Sequence, residues 1–360
     1  MPIHTSNYSN FSSYKSYNQF AAIPNTLNIV KLSQRRADTL QPVKTISSFA
    51  EINNVKKSPH RVKIEAAQLI QKSYRSYQQK KADKELNTVG IKSLTNAKAG
   101  RSYFYNAQSE FVAKTPAKFQ PAGKGNFKQL VRQDSQFVQL HIHNDTFDID
   151  KNKYNQLAMN QLRSHPSICP SIYVNASTMI AHNGGIEVAQ LIEQGDKIPL
   201  IHFKSLLKDL CSLHSEDIFL HDIKPENLTY KGNHVHHIDV ENLVAPDYND
   251  GENGIVCTSE YTTAHLTNAI LNGDPLADQN HDNYAMLLSM IEATSGDFFQ
   301  STPVVNPQRI FGLLGKDLIR AQSWIQEHIK PEYQARAEAL LRCPGTNSDS
   351  TPLIDMVNWK

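Results

Sequence analysis

Apolar positions along the chain change their spacing several times, and each change marks an element. Over residues 1–50, Ser, Asn and Tyr recur (Ser6-Asn-Tyr-Ser-Asn-Phe-Ser-Ser-Tyr14) without sustained periodicity, which predicts a disordered, low-complexity tail over residues 1–57. A helix is predicted from Ser58-Pro59, a capping residue followed by Pro at the first helical position, to about Leu86. Its Ala66, Ala67, Ile70, Tyr74 and Tyr77 recur at helical spacing, while Lys63, Lys72, Arg75, Lys80 and Lys81 make it basic. From about Thr88 the pattern turns to strands. Phe203–His214 reads as a long buried helix, a short hairpin separates Asn227 from Asp239, and amphipathic helices follow Arg309.

Chemistry concentrates in residues 219–243. Asp222, Lys224 and Asn227 lie within one short run, and Asp239 follows across the predicted hairpin. Phosphoryl transfer from a nucleotide needs that set of parts: a carboxylate to orient the acceptor hydroxyl, a cation for charge developing on the γ-phosphoryl, and an Asn plus an Asp for Mg²⁺. The run Asp222-Ile-Lys224-Pro-Glu-Asn227 resembles the catalytic loop of the protein-kinase superfamily, with Ile238-Asp239-Val240 standing where its Asp-Phe-Gly turn would follow. The resemblance covers about residues 90–340 and is strongest over 203–290. It implies an α+β, bilobal protein-kinase-like fold with an N-terminal helical extension. The small lobe is expected over 88–182, the large lobe over 183–345, and a tail over 346–360.

In that family frame, Ala99–Lys114 resembles the nucleotide-covering hairpin, with Gly100 from the Gly-rich loop and Lys114 as the phosphate-binding lysine. A second register takes Gly123-Lys-Gly-Asn-Phe127 as the loop and Val138-Gln-Leu-His141 as the lysine strand, with His where a permanent cation is wanted. Tyr154–Leu162 should form the helix whose Glu pairs with that lysine. Residues 111–186 contain no Glu; counting back from His165-Pro166 lands on Gln156, with Asp148 and Asp150 as the nearby acids. Ser177–Gly185 resembles the last small-lobe strand, the hinge and the turn beyond it, placing adenine against Met179–His182, with Met179 and Ala181 among its contacts. Thr258 corresponds to a Thr touching the catalytic Asp and Lys, and Asp282 to an Asp anchoring the catalytic-loop backbone. Two positions depart from the family: the Arg of His-Arg-Asp is His221, and the Gly of Asp-Phe-Gly is Glu241. A part-time cation at His221 makes activation-loop phosphorylation an unsuitable switch. The histidines at 141, 143, 234, 236 and 237 read as surface or packed side chains, since no third ligand completes a metal set.

Charge is divided unevenly. Residues 1–120 carry 19 Lys and Arg against 6 Asp and Glu, and the rest 18 against 29. A basic N-terminal third suits an acidic partner. Within it, Ile70-Gln71, Tyr74, Arg75 and Lys80 resemble the calmodulin-binding IQ motif, with Ser76 in place of its Gly. The alternative is a helix packed across the domain with its charges solvated. Four scattered cysteines indicate neither a disulfide framework nor zinc, and no apolar run approaches a membrane span. A soluble, cytoplasmic protein is expected, without a nucleic-acid partner. The divergent small lobe, the Asn/Ser-rich tail and the IQ-like helix together resemble effector kinases that intracellular bacteria deliver into the host cytosol.

The expected function is an ATP- and Mg²⁺-dependent phosphotransferase acting on protein Ser/Thr and regulated by calmodulin. Asp222, Lys224 and Asn227 are the expected catalytic residues, Asn227 and Asp239 the metal ligands, and Lys114 the phosphate cation. Lys224 favours a protein hydroxyl; a phosphoinositide or inositol kinase, or a transferase of AMP, is the enzymatic alternative. A catalytically dead, calmodulin-binding scaffold is the alternative outside enzymes, favoured by the missing Glu and opposed by the Asp222, Asn227, Asp239 set.

Overall fold

The first helix, α1 (Pro59–Thr88), is closed by chemistry that the sequence carries at its end. In the computed structural model, Gly90 takes φ +74°, its N–H bonds Asn87 O at 3.1 Å, and the Ile91 N–H reaches back to Leu86 O at 2.8 Å. This is a Schellman ending, and its usual apolar contact is present: Leu86 and Ile91 are buried in one cluster. The structure describes residues 59–88, 90–96, 101–119, 128–142, 150–241, 243–246, 258–263, 279–300, 313, 315–342 and 351–359. The predicted tail, Gly100, the Gly123–Phe127 loop and Asp148 lie outside the described residues.

Strands then build two antiparallel sheets. The first orders β1 (Lys92–Asn96), β2 (Arg101–Tyr105) and β3 (Phe111–Lys114) in sequence. The second contains β4 (Lys118–Phe119), β5 (Lys128–Gln133), β6 (Phe137–Ile142), β7 (Ser171–Asn175) and β8 (Thr178–His182), in the order β4-β5-β6-β8-β7. Phe104, Val112 and Ala113 of the first pack with Phe137, Ile172 and Ile180 of the second, along with Leu86 and Ile91. Helix α2 (Lys151–Asn160) connects β6 to β7. It is riveted to β7, since the Asn155 amide donates to Tyr173 O at 2.9 Å and accepts from Tyr173 N at 2.8 Å.

After His182 the chain passes close over a third sheet of β9 (Ile186–Glu187), β10 (Leu228–Lys231) and β11 (His234–His237). Only glycine fits there. A Cβ on Gly184 would stand 2.1 Å from Thr229 Oγ1, and Gly185, at φ +103°, would place one 2.2 Å from Tyr230 O. The helices that follow are α3 (Val188–Glu193), α4 (Lys204–Ser215), α5 (Gln279–Ser295), α6 (Gly315–His328), α7 (Gln334–Arg342) and α8 (Leu353–Met356). α4 buries Leu206, Leu207, Leu210 and Leu213 in the large core that it shares with α5, and α5 is enclosed along almost its whole length. The architecture is therefore α+β, with antiparallel sheets N-terminal and helices gathered C-terminal. No helix among the described residues is long and apolar enough to cross a membrane.

Candidate functional site

The segment between α4 and β10 is held from beneath by one carboxylate. Asp282, in the first turn of α5, accepts from Leu220 N and His221 N, each at 2.8 Å, and from His214 Nε2 at 3.0 Å. Burial would raise its pKa, but the bond and charge of His214 with the Leu220 N–H outweigh that and bring the carboxyl down to about 2. The residue expected to anchor this loop does make that contact. Phe219 and Val244 exchange backbone hydrogen bonds at 2.9 Å and close the loop from the other side.

Above this anchor four polar side chains converge. Asp222 accepts from Thr258 Oγ1 at 2.9 Å and, through Oδ2, from Asn227 Nδ2 at 2.8 Å. Lys224 Nζ lies 3.2 Å from Asp222 Oδ2 and donates to Thr258 Oγ1 at 2.6 Å. The turn Pro225–Asn227 sets the spacing, and Asn227 Nδ2 also binds Asp222 O at 2.8 Å. Ile238 N donates to Asn227 O at 2.8 Å, so Asp239 emerges next to this cluster. His221 and Asp239 both hold φ near +62°, a left-handed conformation uncommon outside glycine and typical of constrained sites.

The cation at Asp239 is Lys128, on β5. Its Nζ makes an ion pair with Asp239 Oδ1 and another with Glu241 Oε2 at 2.6 Å. Ser171 Oγ donates to the second oxygen, Glu241 Oε1, at 2.5 Å, and Tyr154 OH lies 3.1 Å from that serine hydroxyl. Desolvation alone would lower the Lys128 pKa, yet the two carboxylates raise it, so it stays charged. Asp239 is held below its ordinary range by Lys128 against the effect of burial, whereas burial and the neighbouring Asp239 push Glu241 up.

Several of the residues singled out in the sequence stand apart from this cluster. Lys114 lies on β3 of the first sheet, where its Nζ is held by Gln136 Oε1 at 2.8 Å, with Asp134 at 3.9 Å. Those partners sit at the β5–β6 turn, and the ammonium at Asp239 belongs to Lys128. His141 is exposed on β6; Lys128 stands opposite Ile142 in the β5–β6 register. Gln156 is exposed, and Asp150 is spent on the α2 cap, accepting from Asn152 N and Lys153 N at 3.2 Å. Neither pairs with Lys128, whose carboxylate partners are Asp239 and Glu241. Met179 and Ala181 lie inside β8 with a paired strand on each side, and both are buried, so the chain leaves the sheet only after His182. On α1, Ile70, Gln71, Tyr74 and Lys80 are exposed, as are Leu69 and Tyr77; the Arg75 side chain lies outside what is described.

The donor set suits one hard cation. With Asn227 Nδ2 committed to Asp222, its Oδ1 is left as an acceptor, and the Asp239 side chain keeps 36% of its surface exposed. Such oxygens fit Mg²⁺, which binds one or two protein ligands and completes its shell with water and phosphates. Among the described residues no three His, Cys, Asp or Glu side chains gather as a larger metal group.

Below the cluster, Glu292 of α5 accepts from Tyr261 OH at 2.7 Å and from Phe299 N at 2.8 Å. Burial outweighs both donors and pushes its carboxyl up to about 7. A raised carboxyl pKa means that the folded chain binds the proton more tightly than the unfolded one. Stability should therefore fall as pH rises from about 4.5 to about 7 and level off above, by about 3 kcal/mol for this group. Glu292→Gln can keep both hydrogen bonds and should flatten that limb. Urea midpoints at pH 5 and pH 8 check this; parallel profiles for the two proteins would reject it.

No protein-family model matches the chain, and none of the curated proteins compared with it is a match.

Proposed function

We propose that the chain is an ATP- and Mg²⁺-dependent phosphotransferase of the protein-kinase type, directed at a Ser or Thr hydroxyl of a protein. The observation that carries this is the Asp222, Thr258, Lys224, Asn227 cluster, tied by the Ile238–Asn227 backbone bond to Asp239. Asp222 orients the acceptor hydroxyl and takes its proton as the oxygen bonds to the γ-phosphorus and the bond to the β-phosphate oxygen breaks, releasing ADP. Lys224 neutralises charge on the transferring group, and Thr258 fixes both side chains in register. Asn227 and Asp239 are the residues to hold Mg²⁺, which when bound offsets the charge of the phosphates. The test is purified protein with γ-labelled ATP on protein and phosphoinositide acceptors. Label on Ser or Thr supports the reading, and label on lipid alone moves the acceptor class.

One observation favours a second reading, a nucleotide-free binding module: the Lys128 ammonium already takes an oxygen of the carboxylate that a metal would need. A folded chain with neither nucleotide affinity nor label transfer would select it.

For α1 we propose calmodulin as the partner. Leu69, Ile70, Tyr74 and Tyr77 are each at least 60% exposed on a basic helix, the form an acidic, apolar groove accepts. Ile70→Asp should weaken calmodulin binding at least tenfold by calorimetry, since it places charge in that groove. Unchanged affinity would reject the site. If α1 also regulates, calmodulin should change label transfer about 5- to 150-fold.

A further inference from the structure

We infer that Lys128 and Glu241 form the lysine–carboxylate clamp of the site, with Lys128 as the cation that positions the nucleotide phosphates; this rests on the phosphotransferase reading. The clamp spans β5 and the segment just after Asp239, so its acid does not come from a helix.

Three observations point there. First, Lys128 and Ile142 are direct cross-strand partners, so their side chains share one face of the sheet. Ile142 belongs to the large core, and that face leads Lys128 to Asp239 and Glu241. Lys114, by contrast, ends β3 of the other sheet and is held by Gln136.

Second, the triad is closed at one end and open at the other. The Glu241 side chain is 3% exposed, while Lys128 and Asp239 keep 21% and 36%. Glu241 also has its second oxygen fixed by Ser171. With Asp239 committed to a divalent cation, Lys128 retains Glu241 as a buried counter-ion and keeps its exposed side for phosphate.

Third, the clamp is wired into the helix that lacks an acid of its own. Ser171 gives its hydroxyl proton to Glu241, so the 3.1 Å contact beyond it is a bond donated by Tyr154 OH to Ser171 Oγ. Tyr154 lies on the buried face of α2. Helix α2 therefore supports the clamp through two hydroxyls while Gln156, where the acid was expected, faces solvent. Lys128 and Glu241 are thus positioning residues, and Asp222 performs the proton chemistry.

The experiment compares the full chain with Lys128→Met, Lys128→Arg, Glu241→Gln, Lys128→Met/Glu241→Gln and Lys114→Met. Mg-ATP affinity is measured by calorimetry, and KM and kcat from labelled transfer. Lys128→Met leaves two carboxylates without their cation and can fail to fold. The double variant removes one charge of each sign and keeps the test open, with a melting curve confirming its fold. We expect the double variant to lose at least tenfold in ATP affinity, Lys128→Arg to recover part of it, Glu241→Gln to raise KM for ATP at least fivefold, and Lys114→Met to stay within twofold. A folded double variant with wild-type affinity, or a loss confined to Lys114→Met, overturns the clamp and leaves the phosphotransferase reading standing. A wild-type chain that binds no nucleotide overturns both.

Discussion

Asp222→Asn should lower phosphoryl transfer about 10²- to 10⁴-fold while nucleotide affinity stays within about twofold. The substitution keeps the size of the side chain and its place in the cluster. Thr258 Oγ1 and Asn227 Nδ2 approach the two carboxylate oxygens from different sides, and an amide oxygen can still take one of them. What is lost is the negative charge that accepts the hydroxyl proton and balances Lys224 at 3.2 Å. Nucleotide contacts proposed for Asn227, Asp239 and Lys128 are untouched, so the two measurements should separate. Labelled transfer at saturating ATP reads the first and calorimetry the second. A variant that turns over at the wild-type rate would remove Asp222 from the mechanism.

The largest stability effect is expected at Asp282. Its carboxylate satisfies two buried backbone N–H groups and one buried His ring, all between 2.8 and 3.0 Å. Asp282→Ala leaves Leu220 N and His221 N without a partner where water cannot reach, at about 1–3 kcal/mol each. Loss of the charged bond to His214 adds to this, for a total of about 3–5 kcal/mol. In a domain of this size that corresponds to a fall in melting temperature of about 10 °C. Calorimetry on both proteins decides it; a shift below about 2 °C would show that the loop is held by other contacts. Because the same carboxyl has a depressed pKa, its contribution is present above the usual carboxylate range and fades as pH falls toward about 2.

How far the sequence could be read depended on how local each signal was. Asp222, Lys224 and Asn227 sit within six residues, so their chemistry is visible as a run. Helix α1 declared both its Pro start and its periodicity. Lys128 is not legible in the sequence because its partners lie 111 and 113 residues away, and an ion pair between distant segments leaves no periodic trace. The one usable cue is its place just after Gly123-Lys-Gly125, in the second register. Glu241 reads in the sequence only as a departure from the glycine of Asp-Phe-Gly, because nothing local ties it to Lys128. Met179 and Ala181, expected beside adenine, lie on a strand paired on both sides, a placement that apolar spacing alone does not distinguish from a strand edge.

The closure of α1 at Leu86 and Ile91 has a mechanical consequence. Thirty helical residues make a rod about 45 Å long. Its final turn is fastened into the core, while Ala66 through Tyr74, about three to five turns earlier, stand in solvent. Such a rod is a lever with a short inner arm and a long outer one. A modest sideways load at the tip arrives at the Leu86–Ile91 fulcrum multiplied by the ratio of the arms. A rotation of a few degrees there sweeps the tip through several ångströms, enough for a pair of dyes, one on the tip and one on β7, to report it.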